Sequence, residues 1–411
     1  MSVIQPRGWC PTLFAPMQSG DGLLARIRPP GCILTAAQAR AVAAAAATFG
    51  NGIVDLGNRA SVQVRGLRVD TLAAFTAAML DAGLALPDPA AEARRAVIAP
   101  VLAGDDPSAS RHGAAVAQHV ADMLAGETAL APLPGKFGCL TDAGGVLPLG
   151  GIAADVRVML DGESCRVVLD GSWLAAVCAP QDAAAVVRAL LLAFLALAPD
   201  CPAPPRRMRN LVADIGAQAV FTQAGLAAEP AAALAAPDST VGWVAYSGAG
   251  GTFLAAPPFG SLHATTLAAL ADLSERTADG LLRVTPFRAL ALCGAGDPAT
   301  LADAVAALGL LSGPADPRGR VAACPGAPAC GAAGAATRAD AALLAQSGFS
   351  GTLHVSGCAK GCAHPEPAGF VLTAEAGGYA LIRHGRAGDP PVLRGLSLPQ
   401  AAALLRESQT A

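Results

Sequence analysis

The sequence predicts an internally duplicated α+β protein, two half-molecules that each consist of a small α/β unit followed by a larger one. Three observations carry this. A proline pair, Pro29-Pro30, follows one predicted strand and returns as Pro257-Pro258 after another. Gly52, which ends the next helix, returns as Gly280 at the same offset of 228 (257 − 29 and 280 − 52). Strand and helix patterns recur in the same order around both landmarks, as expected of a repeat. The 411 residues are length enough for two to four domains.

The elements follow in order. Residues 22–29 alternate as a strand that places Leu24, Arg26 and Arg28 on one face. Thr35 caps an alanine-rich helix over 35–48 that stops at Gly50-Asn51-Gly52. Short strands over 53–56 and 60–64 and a helix over 70–82 complete the first small unit, placed at 17–83. The larger unit, 90–222, carries a helix near 113–124, the loop Leu133-Pro-Gly-Lys136-Phe137, strands near 154–159 and 164–169, and a helix over 183–198. A proline-rich break at 201–205 precedes Arg206, Arg207 and Arg209, and 225–240 reads as a linker. The second small unit, 240–312, repeats the first with a strand over 252–256, a helix over 264–278 and a strand running into Arg283 to Arg288. The last unit spans 318–405.

Composition removes several classes. The net charge of −3 argues against a broad nucleic-acid surface. The 53% hydrophobic content is inflated by alanine, and the most apolar run, 183–198, is short for a span and carries Arg188. The first residues show no basic segment followed by an apolar core, so a cytoplasmic protein without membrane attachment is expected. Of the 28 basic residues only Lys136 and Lys360 are lysine.

Eleven cysteines in a chain of this length suggest reduced thiols or metal ligands rather than disulfide staples. Cys324-Pro-Gly-Ala-Pro-Ala-Cys330 is C-x5-C and Cys358-Ala-Lys-Gly-Cys362 is C-x3-C. Four thiolates from two glycine-rich loops can hold a 4Fe-4S cluster. A zinc site prefers shorter spacings, and four separate buried thiols are the remaining alternative.

These cysteines resemble the cluster motif of the sulfite and nitrite reductase superfamily. Residues 50–66, with Arg59 and Arg65, resemble its ferredoxin-like half-domain signature. Arg94-Arg95-Ala-Val resembles its R-N-V segment, and Leu133-Pro-Gly-Lys136-Phe-Gly138 its P-R-K-F-K loop. The resemblance covers about 17–400 and implies two ferredoxin-like half-domains and two sulfite reductase-like α/β domains in pseudo-twofold symmetry. The departures are specific: Ala359-Lys360 replaces Pro-Asn inside the C-x3-C, and Gly138 replaces the second lysine of the K-F-K loop. Ala256-Pro-Pro-Phe-Gly260 and Leu282-Arg-Val-Thr-Pro-Phe-Arg288 are similar to segments of the precorrin-3B synthase family.

That resemblance implies an O2-dependent monooxygenase that oxidises precorrin-3A at C20 with γ-lactone formation. It also implies a 4Fe-4S cluster on Cys324, Cys330, Cys358 and Cys362, a mononuclear non-haem iron whose ligands are unassigned, and a separate electron-donating reductase. The alternative is a sulfite or nitrite reductase carrying siroheme. Substrate carboxylates would be met by Arg26, Arg28, Arg59, Arg65, Arg95, Arg207, Arg209, Arg283 and Arg288, because guanidinium groups grip carboxylates bidentately. Lys136, Lys360 and Arg59 are the candidate catalytic residues. His354 and His364 flank the C-x3-C as the nearest imidazoles to the cluster. Gly294-Ala-Gly296-Asp-Pro matches a loose dinucleotide fingerprint but lacks the parallel sheet that such a site requires.

Overall fold

The computed structural model describes residues 10–231, 233–294 and 296–407. Two all-antiparallel sheets form the centre. The first runs Met17–Ser19, Gly22–Ile27, Ser61–Leu67, Ile53–Gly57, Ser261–His263; the second runs Gly242–Ala245, Gly251–Ala255, Leu290–Cys293, Leu281–Val284, Ile33–Thr35. Each sheet therefore takes its last strand from the other half of the chain. Ser261 pairs with Asp55, and Ile33 pairs with Arg283.

The offset of 228 holds at the level of single torsions. Helices Ala36–Phe49 and Ala264–Thr277 are related by it. So are three left-handed pairs: Gly31 and Phe259 (φ 59° and 58°), Gly52 and Gly280 (76° and 75°), and Ala60 and Arg288 (48° and 59°). A non-glycine residue with positive φ is uncommon, so shared positions mark a shared backbone. The two helices pack against each other, and Leu34, Val42, Ala46, Leu262, Leu267 and Leu270 lie in one core that spans both halves. Thr35 closes a capping box with Gln38, worth about 1 kcal/mol.

The outer two sheets share a second plan. The third runs Glu229–Pro230, Leu174–Cys178, Ser164–Leu169, Val156–Asp161, Cys139–Asp142, Val97–Ile98; the fourth runs Val321–Ala323, Leu353–Ser356, Ala368–Glu375, Gly378–Gly385, Leu393–Leu396. In each, three parallel strands are continued by antiparallel ones. A helix, Gly113–Gly126 or Thr337–Ala345, crosses between the first two parallel strands, the connection that parallel pairing requires. One helical stretch, Pro180–Asp200, is long and apolar enough by composition to cross a membrane. Its Val187, Leu190, Leu191 and Phe194 are buried in the core of the third sheet.

Two details differ from the sequence reading. Glu229–Pro230, inside the predicted linker, pairs with Leu174 and Ala175 as an edge strand. Gly294 and Gly296 follow a strand that lies antiparallel to both neighbours, and the next helix is capped by Asp297. That geometry offers no dinucleotide crevice of the kind found at the carboxyl end of a parallel sheet.

Candidate functional site

Cys324 stands directly after strand Val321–Ala323, and Cys358 two residues after Leu353–Ser356. Both cysteine pairs therefore leave the carboxyl ends of neighbouring parallel strands, where open α/β sheets place ligands. The matching loops of the third sheet, after Val97–Ile98 and Cys139–Asp142, contain no cysteine. Cys324 is buried, Cys330 and Cys358 are half-buried, and Cys362 lies at the exposed rim. The Cys362 thiol feels the charges of Cys358, Cys324 and Cys330; burial pushes its pKa up and the Lys360 ammonium opposes that rise.

The loops suit an iron–sulfur cluster. The Gly357 amide donates to Cys324 Sγ at 3.2 Å, the type of contact that tunes a cluster sulfur. A Cβ at Gly357 would press on Ala333, and one at Gly326 on Thr337. Thr337 Oγ1 donates to the Cys324 carbonyl at 2.7 Å. Among the described residues no three His, Cys, Asp or Glu side chains close on a single ion. A cubane spreads its thiolates over four iron corners and asks for a wider set, whereas a mononuclear iron asks for that tight set. The four cysteines are the residues that would hold the cluster, and among the described residues the ligands of the mononuclear iron stay unassigned.

The nearest imidazoles show why. His354 is fully buried with neither ring nitrogen hydrogen-bonded, and its ring meets His364 edge-on at 5.9 Å. Burial, with His364 and Arg288 nearby, pushes the His354 pKa down to about 4. No carboxylate joins the pair.

The second part of the site lies between the first and third sheets. Arg26, Arg28, Arg59, Ser61, Gly138 and Cys139 line one narrow pocket, and Arg95 lines its neighbour with Arg28 and Arg59. Arg28 donates to the carbonyls of Glu92 (2.9 Å) and Ala93 (3.2 Å), and Arg59 to that of Lys136 (2.8 Å). Among the described residues neither these two nor Arg26 has a carboxylate within 4 Å, whereas Arg95 is paired with Glu92 at 2.8 Å. Burial, then the Arg26 charge, pushes the Arg28 pKa down to about 10. Arg59 is likewise lowered by burial, with Arg207 and Arg26 adding to the effect. Arg28 and Arg59 with carbonyl partners, and Arg26 with its buried Nε unpaired, form a cavity suited to anions.

Asp155, which no motif flags, organises the floor. Fully buried, it accepts from the Gly138 amide (3.0 Å), the Met208 amide (2.9 Å) and Arg207 Nε (2.9 Å). It thereby fixes the loop that presents the exposed Lys136. A Cβ at Gly138 would stand 3.6 Å from the Arg59 guanidinium, so the missing second lysine leaves room beside Arg59. Ser61 and Cys139 were also missed as pocket residues; a lone serine and a strand cysteine carry no pattern.

Several predicted substrate arginines have other partners. Arg65 is 3% exposed and ion-paired with Asp21 (2.9 Å) and Asp55 (3.3 Å). Arg283 is buried against Asp105 (2.7 Å) and Asp279 (2.6 Å). Arg209 pairs with Asp170 at the surface. The Arg65 fork is filled by carboxylates of the chain, whereas Arg283 engages them through Nη2 alone and Arg209 through Nε alone. Arg288 donates to the Ala363 carbonyl at 3.3 Å and lines a different cavity of about 260 Å³ with His364, at the position that the duplication relates to the Arg28–Arg59 pocket. Lys360 is exposed beside Cys362.

Comparison with known proteins agrees with this geometry. The family model for the nitrite/sulfite reductase ferredoxin-like half domain matches residues 15–82. A protein of Sinorhizobium sp named precorrin-3B synthase is 29% identical over 426 aligned positions, covering 98% of this chain and 90% of that protein. The structure of Mycobacterium tuberculosis NirA superposes with a TM-score of 0.73 at 21% identity, covering 95% of this chain and 80% of that one. The architecture is the duplicated sulfite and nitrite reductase-like fold.

Proposed function

We propose that this protein, built on the sulfite and nitrite reductase-like fold, is an oxidoreductase of cobalamin biosynthesis that performs the precorrin-3B synthase reaction. In it precorrin-3A is oxidised at C20 and an acetate side chain closes to a γ-lactone. One oxygen atom of O2 enters the tetrapyrrole, and the other leaves as water with two electrons and two protons. The reading is supported by the relative of that name. The observation that carries it is the pocket of three arginines, Arg26, Arg28 and Arg59, that lack carboxylate partners. A polycarboxylate supplies what this pocket lacks.

Arg26, Arg28 and Arg59 bind and orient the substrate carboxylates, and Arg95 and Arg207, held by Glu92 and Asp155, back them with positive charge. Lys136 stands on the loop that Arg59 and Asp155 hold, where its ammonium can donate a proton at the substrate edge. Cys324, Cys330, Cys358 and Cys362 would hold the 4Fe-4S cluster, which when bound supplies electrons one at a time. Lys360 places a positive charge beside Cys362 and favours the reduced state. A separate reductase feeds the electrons, and the setting is the cytoplasm.

The test is an ultraviolet–visible spectrum of anaerobically purified protein with iron and sulfide analysis on the same sample. A broad visible shoulder without a Soret band, and conversion of precorrin-3A under O2, are the expected results. A Soret band with a chlorin-like red band would replace this reading with a sirohaem reductase.

A further inference from the structure

A chain of four buried or half-buried charges runs from the first sheet to the first cysteine loop. Asp21 accepts from Arg65 Nε and Nη2 at 2.9 Å each. Arg65 Nη1 reaches Asp55 at 3.3 Å, and the other Asp55 oxygen lies 2.9 Å from Arg338. The chain meets the C-x5-C loop directly through Arg65, and Arg338 adjoins a residue that bonds to it. At one end Arg65 Nη2 donates to the carbonyl of Ala329 at 2.8 Å, one residue before Cys330. The same oxygen accepts from Ser19 Oγ at 2.6 Å and from the Gly20 amide at 3.1 Å. At the other end Arg338 follows Thr337, whose hydroxyl holds the Cys324 carbonyl.

Three donors on one carbonyl make a latch. The Met17–Ser19 and Gly22–Ile27 hairpin lies so close that a Cβ on Gly20 would collide with the Pro328 carbonyl. A loop that bears two of the four cysteines is thus fixed by another sheet, and that sheet carries Arg26 and Arg28 four and six residues beyond Gly22. The fixing group is a guanidinium, always charged and 3% exposed, so its field at Cys330 is weakly screened.

We infer that Arg65, Asp21 and Ser19 are positioning residues for the cysteine loop and that the Asp21–Arg65–Asp55–Arg338 chain sets the reduction potential of the group the loop holds. This rests on the cluster assignment above. Reduction adds negative charge at the cluster. A nearby positive charge favours it and a nearby negative one opposes it. Arg65→Gln leaves Asp21 and Asp55 in excess and moves the potential to more negative values. Asp21→Asn leaves Arg65 and Arg338 in excess and moves it to more positive values. A residue with a purely structural role would move both variants the same way.

Two measurements decide the matter. Hydrogen exchange on the metal-free full chain reads the latch: peptides over 325–333 exchange faster in Ser19→Ala and Arg65→Gln than in wild type. Unchanged exchange in both variants overturns the latch whatever group the loop carries. A redox titration of the anaerobically reconstituted proteins reads the charge chain, with opposite shifts expected from Asp21→Asn and Arg65→Gln. Shifts of one sign, or none, overturn it. If Arg65→Gln does not hold the cluster, Arg338→Gln takes its place with the same expected sign. A wild-type chain that binds no iron and sulfide removes the cluster assignment and with it the potential claim, while the exchange result still decides the latch.

Discussion

Arg28→Gln separates a binding arginine from a structural one. Arg28 is charged in a site that pushes its pKa down to about 10 through burial and the Arg26 charge. The unfolded chain holds that proton more tightly, so the charge weakens the fold at every pH below about 10, and the effect fades above it. At about 1.4 kcal/mol per pKa unit, discounted for partial exposure, the penalty is on the order of 2–3 kcal/mol. Against it stand the hydrogen bonds to the Glu92 and Ala93 carbonyls, each worth about 1.5–3 kcal/mol for a charged donor. Glutamine can keep one of them. The two effects nearly cancel, and Arg28→Gln should unfold in urea within about 1 kcal/mol of wild type. Binding behaves otherwise, because nothing replaces the lost charge opposite a carboxylate. A loss of about 1.5–3 kcal/mol there weakens affinity about 10- to 150-fold. Fluorescence quenching by a polycarboxylate porphyrin measures it. A variant that loses more than 3 kcal/mol of stability and binds the porphyrin as wild type does would show that Arg28 is a structural residue and refute the reasoning.

Asp155→Asn should cost about 2–4 kcal/mol in urea unfolding, because it leaves half-buried Arg207 without its carboxylate and loosens the Lys136 loop; a loss under 1 kcal/mol would contradict the role given to it. Cys330→Ser should lower bound iron and sulfide after anaerobic reconstitution, while Cys201→Ser, a half-buried thiol outside both loops, leaves them at the wild-type level; equal loss in both would count against the cluster set. For His354 the unfolded chain takes up a proton near pH 6.5, the folded chain only near 4. Stability is therefore full above 6.5 and falls as pH drops, by about 2 kcal/mol between pH 7 and 5. His354→Phe should flatten that limb in urea unfolding at the two pH values, and an unchanged slope would assign the acid sensitivity elsewhere.

The duplication was legible because Pro29-Pro30, Gly52 and their repeats sit where a turn restricts the backbone, and the helices around them have strong patterns. The exchange of Ile33–Thr35 and Ser261–His263 between sheets was not legible, since three residues carry no period and their partners lie over 200 positions away. The cysteine loops were readable from spacing alone. The arginines were not, because a motif fixes position and leaves the partner open. Arg65 and Arg28 look alike in sequence, yet Arg65 meets two aspartates and Arg28 only carbonyls. Arg283 did carry a usable signal: Asp279 lies four residues earlier and its carboxylate closes on it at 2.6 Å.

The two halves show how one backbone came to hold two kinds of chemistry. At the paired left-handed positions Ala60 and Arg288 the torsions agree, but the side chains differ in charge. Ala60 carries no charge beside the neighbouring Arg59, whereas Arg288 crosses to the loop after Cys362 and lines the corresponding cavity. Asp55 and Arg283, also 228 apart, carry opposite charges and each bonds to the loop region of an outer domain, through Arg338 in one case and to Asp105 in the other. Reversing the sign while keeping the geometry lets each central sheet grip the outer domain of the other half. The first half thus keeps its cationic pocket free of carboxylate partners, and the second supplies the four thiols. Strand exchange between the central sheets ties the half with the arginine pocket to the half with the four cysteines.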